Sequence, residues 1–357
     1  MYLYIFLLIY VLIISALYRF NIISKLSYLV LTFVVLAYVQ GNRDTYIGTD
    51  TRFYENLFHT FKNIPFQTIL SSFPRLYVID HYQTVETGYI LFNRLIGCFT
   101  NNAQVLLMII AFILCFSFAK FIYDNSVNPI WSTLLFMCEG MYINSFNMMR
   151  QMLAISICIN SFTLFKNGKK VWAIFIILIA SLIHESAYFF IAFLLFYWML
   201  GKVKSNKKKY FFLIPLLMPI FIEVLGVISY QYSGYTRGSL YSVHIGRIAL
   251  LWLIILIIAM RAYKYFRQNS SYIFYFINYI SFVVLQFMSI LITGTARISY
   301  WFEPFVFLLV PLAFNKSNKD IVTVGLKLVL LILLVGSYLS FTQSLLNGAL
   351  DLQFSIN

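Results

Sequence analysis

The chain has 357 residues, 61% of them hydrophobic and only 11% charged, with a formal charge of +14. That composition excludes a soluble globular domain and indicates a polytopic membrane protein. In a soluble protein the positive charge would suggest nucleic acid; here it is a topology signal, and no nucleic acid partner is expected.

The N-terminal stretch beginning Met1-Tyr-Leu-Tyr-Ile is apolar, with no basic leader and no small-residue cleavage site. It reads as a retained helix, not a removed signal peptide. Apolar runs predict helices over 1–18, 26–40, 102–122, 129–146, 149–165, 171–184, 187–201, 210–230, 246–263, 272–292, 300–314 and 323–345. The expected fold is therefore an all-α, single-domain, multi-pass helix bundle in the lipid bilayer, with about 12 transmembrane helices. The runs at 171–184 and 300–314 are short for a full span. Cys98, Cys115, Cys138 and Cys158 show no CxxC spacing, so neither a disulfide framework nor a metal site is expected.

Lysine sets the orientation. With segments 19–25, 120–128, 166–170, 202–209, 261–267 and 316–327 on one side, that side holds every lysine except Lys62. The positive-inside rule makes it cytoplasmic and puts both termini outside. Arg43, Arg52, Arg75, Arg94, Arg150, Arg237, Arg247 and Arg297 then lie at the outer face, with His59, His81, His184 and His244. Most carboxylates join them, including Asp44, Asp50, Glu55, Asp80, Glu86 and Glu185. Either cation can signal topology, but a planar fork that grips phosphate is arginine chemistry. Any reaction is thus expected outside. The one long connection, 41–101, is also outside. In it, Phe53, Leu57, Phe58 and Phe61 share one helical face and Phe66, Ile69, Leu70 and Phe73 another. Both read as amphipathic helices on the membrane surface.

Four stretches could carry chemistry. Between 41 and 54, Arg43, Asp44, Asp50, Thr51, Arg52 and Tyr54 crowd a turn-rich segment. The plain reading is a solvated loop with Thr49 or Asp50 capping a helix that opens at Thr51. The functional reading is a lip that binds sugar and phosphate. Next, Asn147, Arg150, Gln151, Ala154, Cys158 and Ser161 form a small, polar stripe on one helix. An arginine at a bilayer centre costs about 2.5–3.5 kcal/mol on insertion scales. Such a stripe faces helices or a wet cavity, unless Arg150 snorkels to headgroups. Third, His184-Glu185 interrupts an apolar run; it is either a polar turn or a base whose basicity a neighbouring carboxylate raises. Fourth, Arg297 precedes Tyr300, Trp301 and Glu303 at the head of a short run. Tyr300 and Trp301 are either interfacial anchors or a stacking surface for a sugar ring. No HExxH or DxD-type motif is present, so a metal-independent reaction without cofactor is expected.

In order along the chain stand Arg43-Asp44…Gly48-Thr-Asp50-Thr-x-x-Tyr54, Glu86-Thr-Gly88-Tyr-x-x-Phe92, Met149-Arg150-Gln151-x-Leu-Ala154, Leu182-Ile-His184-Glu-Ser186-Ala187 and Arg297-x-x-Tyr300. Over roughly residues 30–305 this resembles the EpsG-like branch of Wzy-type polysaccharide polymerases, which includes bacterial O-antigen polymerases. The resemblance implies block transfer of an oligosaccharide from one polyprenyl pyrophosphate to the non-reducing end of another. It also implies a periplasmic active site in the bacterial inner membrane, a bundle like the membrane glycosyltransferase fold called GT-C, and a chain-length regulator as partner. Catalytic roles are expected of Arg150, His184, Arg297 and Asp50. Substrate binding is expected of Arg43, Asp44, Thr51, Tyr54, Glu86, Gln151, Glu185 and Tyr300. A lipid-linked oligosaccharide flippase and an O-antigen ligase are the competing readings. A transporter should put its polar groups near the midplane, whereas these cluster at one face.

Overall fold

A computed structural model describes residues 1–73, 76–80, 83–217, 245–290, 294–316 and 320–354. In chain order the helices are α1 (Tyr2–Arg19), α2 (Lys25–Gly41), α3 (Thr51–Phe61) and α4 (Phe66–Ser72). Two strands follow, β1 (Leu76–Asp80) and β2 (Gln83–Glu86), then α5 (Thr87–Gly97), α6 (Ala103–Asn125), α7 (Pro129–Cys138), α8 (Met141–Asn144) and α9 (Met149–Lys166). After α10 (Lys170–Ser181) come a 3-10 turn (Glu185–Tyr188), α11 (Phe189–Lys202) and a longer 3-10 stretch (Ser205–Leu213). The last helices are α12 (Ile245–Phe266), α13 (Ser270–Met288), α14 (Gly294–Ser299), α15 (Val306–Lys316) and α16 (Ile321–Phe354), with a 3-10 turn (Glu303–Phe305) before α15.

Among the described residues, six helices are long and apolar enough to cross a membrane: Tyr2–Arg19, Ala103–Asn125, Ile248–Phe266, Ser270–Met288, Gly294–Asn315 and Ile321–Gly348. Shorter apolar helices occupy Lys25–Gly41, Pro129–Cys138 and Lys170–Ser181. The chain is thus a multi-pass, mainly helical membrane protein. Most of the helix expected at 210–230 lies outside the described residues, as do Arg75, His81, Arg237 and His244. The helix expected over 129–146 is broken. Gly140 takes a φ of 138°, which glycine alone adopts at little cost, and only a single turn follows.

Contacts group the chain into two compact units. The first comprises Met1–Asp124, Tyr142–Ala192 and Leu339–Asn357; the second comprises Asn125–Met141 and Phe193–Tyr338.

In the first unit α9 is enclosed on nearly every side. Gln151, Ala154, Cys158 and Ser161 of its polar stripe are all buried, so the stripe faces protein. The serine hydroxyls of α9 bond the helix itself: Ser156 donates to the Leu153 carbonyl at 2.8 Å and Ser161, in the stripe, to that of Cys158 at 2.6 Å. α10 folds back along α9 after a tight turn at Gly168, whose φ is +80°. Segment 41–101 departs from expectation. Tyr54, Leu57, Phe58 and Phe61 of α3 turn inward onto Tyr89, Ile90, Leu106, Met149 and Leu153. The i, i+3, i+4, i+7 spacing was legible, but the face packs on protein because burying each large side chain there gains about 1.5–3 kcal/mol. By contrast α4 keeps Phe66, Leu70 and Phe73 exposed and buries Ile69. The antiparallel hairpin β1–β2, with Leu76 opposite Glu86 and Tyr77 opposite Val85, is a short local exception in an otherwise helical fold. Its β-branched and aromatic content was a strand signal that the helical pattern around it masked.

The second unit is dense in aromatic rings. Phe193 meets Phe302 edge-on at 4.7 Å and Phe274 meets Phe305 at 4.8 Å. Ser132 donates to the Phe307 carbonyl at 2.6 Å, tying α7 to α15. Glu139 and Glu303, 3% and 1% exposed, lie within electrostatic reach of each other beside the buried Tyr279 ring.

One close approach positions the chemistry described below. Gly88, in the first turn of α5, abuts Leu182 so tightly that a Cβ would overlap the Leu182 backbone and side chain. Gly88→Ala should therefore lose about 1–3 kcal/mol of stability, the usual cost of overpacking. A lowered unfolding midpoint in detergent, followed by size-exclusion after heating, measures it.

Candidate active site in the first unit

Arg150 is the second residue of α9, whose N-cap position Met148 offers no side-chain bond. A cation there opposes the partial positive charge of the helix N-terminus and is costly to bury. Glu86 answers both. It ends β2, adopts an extended backbone (φ −65°, ψ 133°), and makes no bond to the helix it precedes. Its carboxylate instead reaches Arg150, with Oε2 accepting from Nη1 at 2.5 Å. The pair is sheltered but not sealed, at 19% exposure for the Arg150 side chain and 9% for Glu86. Tyr54 also bonds the guanidinium, and Tyr89 lies 5.9 Å beneath it. Burial raises the pKa of the Tyr54 hydroxyl, an effect that Arg150 opposes.

The other Glu86 oxygen, Oε1, accepts the backbone N–H of Glu185 at 3.1 Å and lies 3.9 Å from His184 Nδ1. The carboxylate that the fold brings beside His184 is thus Glu86, which is 98 residues away in sequence. Glu185 contributes its backbone here while its side chain is exposed. His184 precedes the 3-10 turn in extended conformation and caps it, accepting from Ser186 N at 3.3 Å. Ser186 Oγ stands 2.8 Å from the same nitrogen.

A second arginine organises the lip. Arg43 is 4% exposed, and its donors go to Gln40 O at 2.7 Å, Thr51 Oγ1 at 3.2 Å and Phe146 O at 3.3 Å, with Met149 Sδ at 3.0 Å. Burial lowers its pKa to about 10, partly offset by Tyr4 and Tyr142, so it stays a cation at neutral pH. Gly48 makes the turn with a φ of +95° under the Phe146 carbonyl, and Thr49 N donates to Asn147 Oδ1 at 2.9 Å. Thr51 is buried, donating to Ile47 O at 2.8 Å. Asp50 occupies the N-cap position of α3 without capping it; its Oδ1 accepts from Thr49 Oγ1 at 3.0 Å. Asp44 is exposed and closes a local turn, accepting from Tyr46 N at 3.0 Å.

The first unit therefore gathers Arg150, His184, Glu86, Tyr54 and Glu185 into one cluster, with Arg43, Thr51 and Asp50 in the loop that docks on the head of α9. Gln151 is buried beside Arg150 in the chain. Arg297 and Tyr300 belong to the second unit, where Arg297 is exposed and Tyr300 half-buried. No group of three or more His, Cys, Asp or Glu side chains converges as a metal site among the described residues.

Residues 25–353 match the EpsG family, nearly the whole chain. The chain belongs to the EpsG family. That membership makes this EpsG-family chain a membrane protein of polysaccharide biosynthesis, of the polymerase type. No curated protein and no solved structure matches it.

Glu86 was expected to bind substrate, and Glu86, Gly88 and Tyr89 stood in one of the stretches that carried the family resemblance. What escaped the sequence was the pairing: that Glu86 meets Arg150 and His184, with Tyr89 beneath the guanidinium. Removing one member of a sheltered ion pair leaves the other uncompensated. Glu86→Gln and Arg150→Met should each lower the unfolding midpoint, and the double variant should lose less than the sum. A coupling of about 1–3 kcal/mol from that double-mutant cycle is expected.

Proposed function

We propose that the protein is a Wzy-type polymerase that joins oligosaccharide repeat units carried on polyprenyl pyrophosphate, at the periplasmic face of the bacterial inner membrane. The observation that supports this most is the partly exposed guanidinium of Arg150, fixed by Glu86 at a helix N-terminus, in an EpsG-family chain. A helix N-terminus with an arginine is an anion-attracting place. Glu86 holds Nη1 and Tyr54 also bonds the group, which fixes the guanidinium plane while part of the side chain stays exposed. In the reaction, a hydroxyl of the acceptor sugar bonds the anomeric carbon while the bond from that carbon to pyrophosphate breaks. The electron pair departs with the pyrophosphate, and Arg150 stabilises the charge that accumulates there. Arg297 is assigned to pyrophosphate binding as well. The Arg43 loop, with Asp44, Asp50, Thr51 and Tyr54, forms the lip that admits and orients the sugars. Twelve spans, a GT-C-like bundle and a chain-length regulator as partner complete this reading.

The glycan length distribution in a deletion strain tests it. Loss of polymer with a single repeat unit still attached to lipid A is the expected result. Loss of all attached glycan would indicate a ligase or a flippase instead. In the purified protein, Arg150→Lys and Arg297→Lys should each cut polymerisation by about 10²-fold, because a point charge does not replace a bidentate fork. Normal polymer from both variants at matched protein levels would remove the arginines from the reaction.

A further inference from the structure

We propose that His184 serves this reaction as a fixed hydrogen-bond donor through Nε2–H, and not as a general base. The inference rests on the polymerase reading and adds the role of one side chain in it.

The backbone decides which nitrogen carries the proton. Nδ1 of His184 accepts the Ser186 N–H at 3.3 Å. A peptide N–H can only donate, so Nδ1 must present a bare lone pair. Neutral imidazole has one N–H, which is then on Nε2. The carboxylate–histidine arrangement that makes a base is the reverse: the carboxylate accepts Nδ1–H and leaves Nε2 bare. Glu86 is the carboxylate at hand, yet its Oε1 stands 3.9 Å from Nδ1, beyond a hydrogen bond. The same oxygen is engaged by the Glu185 N–H at 3.1 Å. Glu86 therefore positions the turn that holds the ring and does not draw the proton to Nδ1. Ser186 Oγ, 2.8 Å from Nδ1, fits either tautomer, so the Ser186 N–H is the contact that decides.

A fixed Nε2–H suits an oxygen that gains negative charge. Glu86 brings His184 to the same carboxylate as Arg150, so both donors serve one anion, the departing pyrophosphate. As the bond from carbon to phosphate oxygen breaks, the electron pair moves onto that oxygen and the Nε2–H bond to it strengthens. The proton of the attacking hydroxyl passes to a pyrophosphate oxygen, and His184 neither gains nor loses one.

Three variants of the purified, full-length protein separate the roles at matched concentration, with lipid-linked repeat units as substrate. His184→Gln places a carboxamide N–H near the Nε2 position, whereas Asn is too short and Ala has no donor. Gln is expected within about tenfold of the parent, with Asn and Ala down by about 10²–10³-fold, the cost of one lost donor to a developing anion. Gln as inactive as Ala would restore the base. All three near the parent would remove His184 from the chemistry. Either result overturns the proposal. A parent that makes no polymer from these substrates would overturn the polymerase reading itself. Unfolding midpoints of the variants report folding. A second measurement needs no turnover: in ¹⁵N-histidine-labelled protein, the signal absent from His184→Gln should show Nε2 protonated and Nδ1 bare near neutral pH. The opposite tautomer would refute the assignment.

Discussion

The Glu86–Arg150 pair is the constraint on which the first unit turns. An arginine in the opening turn of an enclosed helix is unfavourable twice, by desolvation and by the sign of the helix dipole. A carboxylate carried to it from a strand end offsets both. Because Glu86 divides its two oxygens between Arg150 and the Glu185 amide, one side chain fixes the distance between the head of α9 and the turn after α10. His184 takes its position from that turn, which its ring caps at Ser186 N.

Arg43 illustrates a different use of the same residue type. Its guanidinium is spent on the carbonyls of Gln40 and Phe146 and on Thr51, so it satisfies backbone that would otherwise be orphaned in a dry setting. The loop it stabilises is where the chain leaves α2 and must turn before α3. Gln104 adds to this by donating to the carbonyls of Gly41 and Arg43. The result is a polar loop held rigidly against the N-terminal end of α9. Rigid support of that kind separates a site whose donors are aimed in advance from a loop that samples many shapes.

The second unit holds its polar groups differently. Glu139 follows the last residue of α7 and Glu303 opens the turn before α15; both are buried, with Tyr279 beside Glu139 and the Met141 backbone beside Glu303. Two carboxylates side by side at that depth would cost more than either neighbour returns. Arg297 stands in the same unit yet is exposed, so its charge stays hydrated.

Much was legible in the sequence because it depends on local chemistry. Apolar run lengths, the lysine bias, the spacing of Leu57, Phe58 and Phe61, and the polar stripe of α9 each follow from a few neighbouring residues and a fixed helical period. Arg150 and His184 stood out because a polar group in an apolar run has a large local cost. What the stripe and the α3 face pack against was not legible, since a helix surface does not name its neighbour. The hairpin was hidden by the helical pattern around it, and the break at Gly140 by an unbroken apolar run. Least legible was the meeting of Glu86 with Arg150 and His184. Its partners lie 64 and 98 residues away, and Gly88 packs against Leu182 beside them. Sequence by itself determined that a membrane-spanning helical chain carries arginine and histidine where charge is expensive. Tertiary structure alone decided which carboxylate compensates them, because that depends on distances of a few ångströms between segments remote in the chain.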